Sequence, residues 1–150
     1  WPHKVEKLVL VAPFGIYDAN EPTANPWAQQ GQEFAPLFCN DTAAYGDFLR
    51  RPNDADPVEW PIVMNRAREA SARMMWPLGD TGIVKRLHRI LCPTLLIWGA
   101  DDRVVPKSYA RKFADRIAGP TEILEIPNAG HLVDIDQPAA LAEAVLKFLK

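Results

Sequence analysis

The hydrophobic pattern of the 150-residue chain predicts three buried strands and several helices. Three short apolar runs, bounded by Pro and Gly, occupy residues 8–12, 94–98 and 122–126. Continuous apolar runs of this length are typical of parallel strands that are covered on both faces. Helical patterns follow the last two runs, so strand and helix alternate. The alternation predicts an α/β fold with a parallel sheet.

Apolar positions at helical spacing predict two helices in the last third of the chain. The first, over residues 106–118, starts with Pro106 in its first turn and stops at Gly119. The second starts at Pro138, and Asp136 is suited to cap it. The apolar positions that define these helices are Tyr109, Phe113 and Ile117 in the first, and Leu141, Val145, Phe148 and Leu149 in the second.

A long insert separates the first predicted strand from the second. It spans about 80 residues, far more than one crossover helix requires. We expect a mostly helical excursion over the sheet at residues 17–86, with a short helix after Asp41 and a longer one from about residue 57 to 76. The apolar stripe expected on the longer helix consists of Val63, Ala67, Ala70 and Met74, opposite Arg66, Arg68, Glu69 and Arg73. Residues 1–16 and 87–150 would then form the core that carries the sheet.

Composition and charge argue against nucleic-acid binding and membrane association. The chain is 48% hydrophobic and 24% charged, with a formal net charge of −2, so it carries no basic footprint for nucleic acid or anionic membranes. No apolar segment approaches the roughly 18 residues expected of a membrane span. Cys39 and Cys92 lie far apart without a metal-binding spacing, which favours free thiols in a reducing, cytoplasmic compartment.

The residues with chemical potential follow the second and third predicted strands directly. Gly99-Ala100-Asp101-Asp102 carries two acids, and Asn128-Ala129-Gly130-His131 carries a histidine. An acid and a histidine on successive loops are two of the three groups that make an alcohol nucleophilic. The third group would be a nucleophile on a sharp turn between a strand and a helix.

These two loops resemble the acid and histidine loops of the α/β-hydrolase superfamily. The acid loop there reads apolar strand, Gly, two variable residues, catalytic Asp, two more residues and Val-Pro, and the acid precedes the histidine as it does here. The resemblance selects Asp102 over Asp101 as the acid that orients the imidazole, and His131 as the group that shuttles the proton. It also implies the C-terminal part of a hydrolase sheet, of about three strands, with residues 17–86 as a helical cap.

The nucleophile of that superfamily is missing from the sequence. Ser71 and Ser108 both lack the Gly-x-Ser-x-Gly context, and Cys39 and Cys92 lack it too. In the superfamily this turn precedes the strand predicted here at residues 8–12. Because Trp1 lies only a few residues before that strand, we expect the chain to be the C-terminal half of a hydrolase, with its partner the missing N-terminal half.

The resemblance implies hydrolysis of a small-molecule substrate through a covalent intermediate. An ester is the expected bond, with related C–C and amide bonds open, and no metal or organic cofactor is needed. Trp76 and Leu132 are expected to line the substrate site. On its own, the chain would expose a strand edge that invites a homodimer.

The sequence allows three other interpretations to be tested against their own motifs. A nucleotide-binding βαβ unit would need a Gly-rich phosphate loop, and Pro13 obstructs the one available turn. A metal site at His131, Asp134 and Asp136 has no supporting ligand spacing. A catalytically inactive fragment, or an interaction module that kept the hydrolase fold, stays open as the alternative function.

Overall fold

A three-stranded parallel sheet lies at the centre of the structure, a computed structural model that describes residues 4–28, 34–76 and 78–150. The strands are β1 (Leu8–Val11), β2 (Thr94–Gly99) and β3 (Thr121–Ile126), in the order β1-β2-β3. In the register, Leu8 lies beside Thr94, and Thr94 beside Thr121. The predicted α/β fold with a parallel sheet is confirmed. Burial of all three strands is not: β2 is buried throughout, whereas β3 is exposed from Glu122 to Glu125.

Strand β2 is the buried centre because its two neighbours and the helices leave it no exposed face. Its side chains alternate between the two faces of the sheet, as the period of a strand requires. Leu96 and Trp98 pack into the cluster on one face, and Leu95 and Ile97 into the cluster on the other. The Trp98 ring lies 6.2 Å from that of Phe113, which tilts toward it.

The helices after β2 and β3 cover opposite faces of the sheet. Helix α4 (Ser108–Ala114) packs against the Trp98 face, and α6 (Pro138–Leu149) against the Ile97 face. Between β3 and α6 lies the short helix α5 (Val133–Asp136). Helix α4 is shorter than predicted, although Ile117 beyond its end is still buried.

Two expectations about α6 were wrong. Leu149 is half exposed and lies outside the core cluster that its neighbour Phe148 joins. Asp136 does not cap the helix, whose N-cap is Gln137 without a side-chain hydrogen bond. The Asp136 carboxylate instead accepts hydrogen bonds from the backbone amides of Asn40, Asp41 and Gly130, all outside α6.

The described residues of the insert between β1 and β2 form three α-helices, α1 (Phe34–Phe38), α2 (Thr42–Phe48) and α3 (Glu59–Met75). The predicted helix after Asp41 is confirmed: the Asp41 carboxylate accepts from the Ala44 amide at 2.9 Å and so caps α2. The longer predicted helix is α3. Helix α1 was not predicted, because five residues are too few to establish a helical period. Single turns of 3-10 helix lie at Pro26–Ala28, Ile83–Lys85 and Leu87–Arg89.

The predicted apolar stripe on α3 was wrong. Val63 is 51% exposed and Met74 87% exposed. The side of the helix that meets the rest of the chain carries Arg68, Ser71 and Met75. Apolar side chains lie on more than one side of this helix, so periodicity alone does not choose the packed face.

Among the described residues, no helix combines the length and apolarity needed to cross a membrane. Cys39 and Cys92 are both free thiols, and the cytoplasmic location stays a prediction.

Candidate functional site

The acid loop begins where β2 ends, and local hydrogen bonds hold its carboxylate in place. Asp102 Oδ1 accepts from the backbone amides of Val104 at 2.8 Å and Val105 at 2.9 Å. The Trp98 indole N–H donates to the Val105 carbonyl at 3.0 Å, which ties the loop to the core. One oxygen of Asp102 is therefore committed to the backbone, and the other is available.

The available oxygen faces the histidine. Asp102 Oδ2 lies 3.0 Å from His131 Nδ1, with the Asp102 side chain fully buried and that of His131 only 13% exposed. A carboxylate can only accept, so Nδ1 carries the proton and Nε2 is left unprotonated in the neutral ring. An imidazole held in this way can take a proton at Nε2 and return it.

The competing acid is turned away from His131. Asp101 is exposed, and its Oδ2 accepts from the Asn40 side-chain amide at 2.8 Å. Two adjacent acids thus point in different directions, and the one that the family spacing selects is the one that meets the imidazole.

The acid loop and the histidine loop approach so closely that their contact requires glycine. A Cβ added to Gly99 would lie 2.0 Å from the Gly130 carbonyl oxygen. The histidine loop also packs closely on α1, since a Cβ added to Gly130 would lie 2.7 Å from the Phe38 carbonyl oxygen. Where the loops meet, the Asp101 amide donates to the Ala129 carbonyl at 2.9 Å. Backbone packed on backbone fixes the separation between the acid and the histidine.

Aromatic side chains flank the imidazole. The Phe14 ring meets it edge-on, with centroids 5.7 Å apart and planes at 80°, and the Phe38 ring lies 6.0 Å away. Phe14 follows β1, so its position reflects the rule that the carboxyl ends of parallel strands share one edge of the sheet. That rule could have identified Phe14 from the sequence, whereas Phe38 comes from the insert and carried no such signal.

A cavity of about 690 Å³ opens beside His131, between the sheet edge and helices α1 and α3. Its walls are mostly apolar, and the side chains that line it include Phe14, Trp27, Phe34, Phe38, Met75 and Leu132. Arg68 is the one cation among these described lining residues, and its guanidinium lies 5.2 Å from the centre of the Phe34 ring. The cavity suits an apolar molecule with one polar or anionic group.

The two residues predicted to line a substrate site fall in different places. Leu132 lines the cavity beside His131. Trp76 lines a neighbouring cavity of about 420 Å³ at the end of α3, and Phe14 and Met75 border both cavities.

The hydroxyl and thiol groups lie elsewhere. Ser71 lines the larger cavity, but its Oγ donates to the Arg68 carbonyl at 2.8 Å, and the Ser108 hydroxyl donates to the Glu21 carboxylate. Burial raises the pKa of the Cys39 thiol to about 12, which opposes its use as a thiolate. Within the described ranges, no serine or cysteine hydrogen bonds to His131.

The residues considered as a metal site do not converge. In the part of the chain that the structure describes, no three His, Cys, Asp or Glu side chains are grouped to hold an ion. His131 Nδ1 is bonded to Asp102, and Asp136 is bonded to backbone amides.

A sequence model of the alpha/beta hydrolase family matches residues 3–144 of the chain. The chain belongs to this family. The close contact between its acid and histidine loops and its Asp102–His131 pair therefore lie in a hydrolase fold.

Curated relatives of the family are longer than this chain. A protein assigned as carbamate hydrolase RutD from Caulobacter sp. strain K31 is 42% identical over 169 aligned positions, which cover 99% of the chain and 58% of the relative. The 2-hydroxy-6-oxononadienedioate/2-hydroxy-6-oxononatrienedioate hydrolase of Escherichia coli O139:H28 is 27% identical, over 99% of the chain and 55% of the relative. The chain spans about half the length of the curated relatives it matches.

Solved structures support the same fold. The meta-cleavage product hydrolase CumD of Pseudomonas fluorescens IP01 superposes with a TM-score of 0.67 at 17% identity, covering 96% of the chain and 55% of CumD.

Proposed function

We propose that this alpha/beta hydrolase chain supplies the acid and the base of a nucleophile–His–Asp triad that hydrolyses a small-molecule ester or a related C–C or amide bond. The observation that carries the proposal is the buried Asp102–His131 pair, at 3.0 Å, beside a largely apolar cavity. Asp102 orients the imidazole, and His131 takes the proton of the nucleophile and returns it to the leaving group. No metal or organic cofactor has a role in this scheme.

The nucleophile in the proposal belongs to polypeptide outside these residues. Relatives of about twice the length support this, since the matched part covers only 48% to 58% of them. The edge of β1 away from β2 has no strand partner among the described residues, and it is where further sheet would pair. If that edge is left free, homodimerisation through it is expected, and sedimentation would detect it.

The helical insert, residues 17–86, is proposed as the cap over a core formed by residues 1–16 and 87–150. Support comes from the cavity, whose walls combine Phe14 and His131 of the core with Phe34 and Met75 of the insert. Leu132 is proposed to contact the substrate beside the reacting bond. Trp76 is proposed to contact a more distant part of it, through the neighbouring cavity.

A fluorophosphonate probe, which labels activated serines, tests the proposal in the full-length protein. We expect an adduct on a serine outside this chain, and loss of labelling in His131→Ala. His88→Ala is the matched control, because His88 is exposed on the 3-10 turn at Leu87–Arg89. An adduct on Ser71 or Ser108 would refute the assignment of the nucleophile.

The second candidate is a catalytically inactive chain or interaction module. It is favoured by the lack of any serine or cysteine bonded to His131 within the described ranges. Full-length protein that neither labels nor hydrolyses a panel of esters, amides and C–C substrates would support it against the hydrolase proposal.

A further inference from the structure

We propose that the junction of α1 and α2, residues 36–41, is a clamp that sets the distance between Asp102 and His131, and that Asn40 and Asp136 are its positioning residues. The inference rests on the proposed function for its catalytic meaning. That residues 36–41 hold both loops follows from the hydrogen bonds described below, without any assumption about catalysis.

The clamp holds the acid loop on both sides of Asp102. The Asn40 side chain donates from Nδ2 to Asp101 Oδ2 at 2.8 Å, and its Oδ1 accepts from Arg103 Nη2 at 3.0 Å. Arg103 Nη1 also donates to the Pro36 carbonyl at 2.6 Å. The residues immediately before and after Asp102 are therefore both bonded to residues 36–41.

The clamp holds the histidine loop on both sides of His131. The Leu132 amide donates to the Phe38 carbonyl at 3.0 Å. On the other side the link runs through Asp136, whose Oδ2 accepts from the Gly130 amide at 2.6 Å and from the Asn40 amide at 2.9 Å. Asp136 Oδ1 accepts from the Asp41 amide, also at 2.9 Å. One carboxylate thus joins the residue before His131 to the turn that Asn40 occupies.

Among the described residues, the backbone amides of Asn40, Asp41 and Gly130 are the only hydrogen-bond donors to the Asp136 carboxylate. It leaves α6 uncapped and forms no ion pair among the described residues. Three backbone N–H groups around one carboxylate form charge-assisted hydrogen bonds, which are stronger than neutral ones. An amide of the same size has one accepting oxygen in place of two, and its NH₂ group would face a backbone N–H.

Loss of the clamp should therefore affect geometry before it affects folding. Leu37 and Phe38 of the clamp pack against the core, but neither Asn40 nor Asp136 belongs to a core cluster, whereas His131 depends on both for the position of its loop. A catalytic group must be held to within about 0.5 Å, and a 1 Å displacement can reduce the rate about 100-fold.

The test compares Asp136→Asn with Asp134→Asn in the full-length protein. Asp134 is exposed on the same short helix and makes no hydrogen bond among the described residues, so the control removes the same charge without touching the clamp. We expect Asp136→Asn to lower kcat between about 10- and 100-fold with KM nearly unchanged, and Asp134→Asn to do neither. Asn40→Ala, which releases only the acid loop, should lower kcat in the same way and serves if Asp136→Asn fails to fold.

An NMR measurement tests the clamp independently of the hydrolase proposal, because it reports the Asp102–His131 contact whether or not the protein is active. The proton on His131 Nδ1, hydrogen bonded to a buried carboxylate, should give a slowly exchanging downfield NMR signal in the parent protein and in Asp134→Asn. The signal should broaden or vanish in Asp136→Asn and in Asn40→Ala, whether or not the protein hydrolyses anything. An unchanged signal in both clamp variants, or an unchanged kcat in an active enzyme, would overturn the clamp. Loss of the signal in a protein without activity would support the clamp and refute only the proposed function.

Discussion

Replacement of Asp102 by Asn should slow turnover greatly by moving one proton on His131, and the hydrogen bonds of Asp102 explain why. The amides of Val104 and Val105 both donate to Asp102 Oδ1. In Asp102→Asn the amide oxygen must take that place, since an NH₂ group there would face two N–H donors. The NH₂ group is then turned toward His131 Nδ1, which can meet a donor only as an acceptor. The ring proton moves to Nε2, and the histidine can no longer accept a proton from the nucleophile.

The size of the effect follows from the cost of the opposite orientation. Turning the amide so that its oxygen faces His131 would break two hydrogen bonds, each worth about 0.5–1.5 kcal/mol, and leave donors unsatisfied at about 1–3 kcal/mol each. The wrong tautomer therefore predominates. We expect kcat to fall about 10⁴-fold, as the same change does in other triads, which corresponds to about 5.5 kcal/mol of transition-state stabilisation.

The assay is hydrolysis of a chromogenic ester by the full-length protein, with Asp101→Asn as the matched variant. Asn at position 101 still offers an accepting oxygen to Asn40, so we expect less than about a threefold change, the scale of a surface substitution. A larger loss from Asp101→Asn than from Asp102→Asn would refute the assignment of the acid. Equal activity of Asp102→Asn and the parent would refute the tautomer argument.

Two further predictions concern stability. Gly99→Ala places a methyl group 2.0 Å from a carbonyl oxygen of the histidine loop and should lower the free energy of unfolding by about 3 kcal/mol. Gly46→Ala is the control, because the space around Gly46 is open and its replacement should not destabilise the protein. Urea titrations measure both changes. A hydrogen bond from Lys112 lowers the pKa of Asp18 below its ordinary 3.8, and hydrogen bonds from Ser108 and then Lys112 lower the pKa of Glu21 below its ordinary 4.5. The stability that these carboxylates contribute is therefore present above those values and lost as the pH falls through the lowered ones. Lys112→Met should therefore flatten the acid limb of stability against pH, and an unchanged acid limb would contradict this account.

The sequence by itself determined the sheet and the two chemical loops. A parallel strand buried on both faces is largely apolar, so β2 was recognisable from residues 94–98 without any tertiary information. The parallel sheet placed both loops at one edge, because parallel strands deliver their carboxyl ends there, and the resemblance to the hydrolase acid loop selected Asp102 over Asp101. The Asp102–His131 contact is the result.

Only the tertiary structure decided the rest, because those features depend on contacts between residues far apart in the chain. The packed face of α3 could not be read from a helix with apolar residues on several sides, and Arg68 proved to face the cavity. Asp136, beside Pro138, has the local signature of a helix cap, yet its carboxylate bonds to amides about 95 residues earlier. A local sequence pattern shows which side chains of one segment can be buried or can cap a helix. It does not identify the residues, distant in the chain, that the segment will contact in the fold.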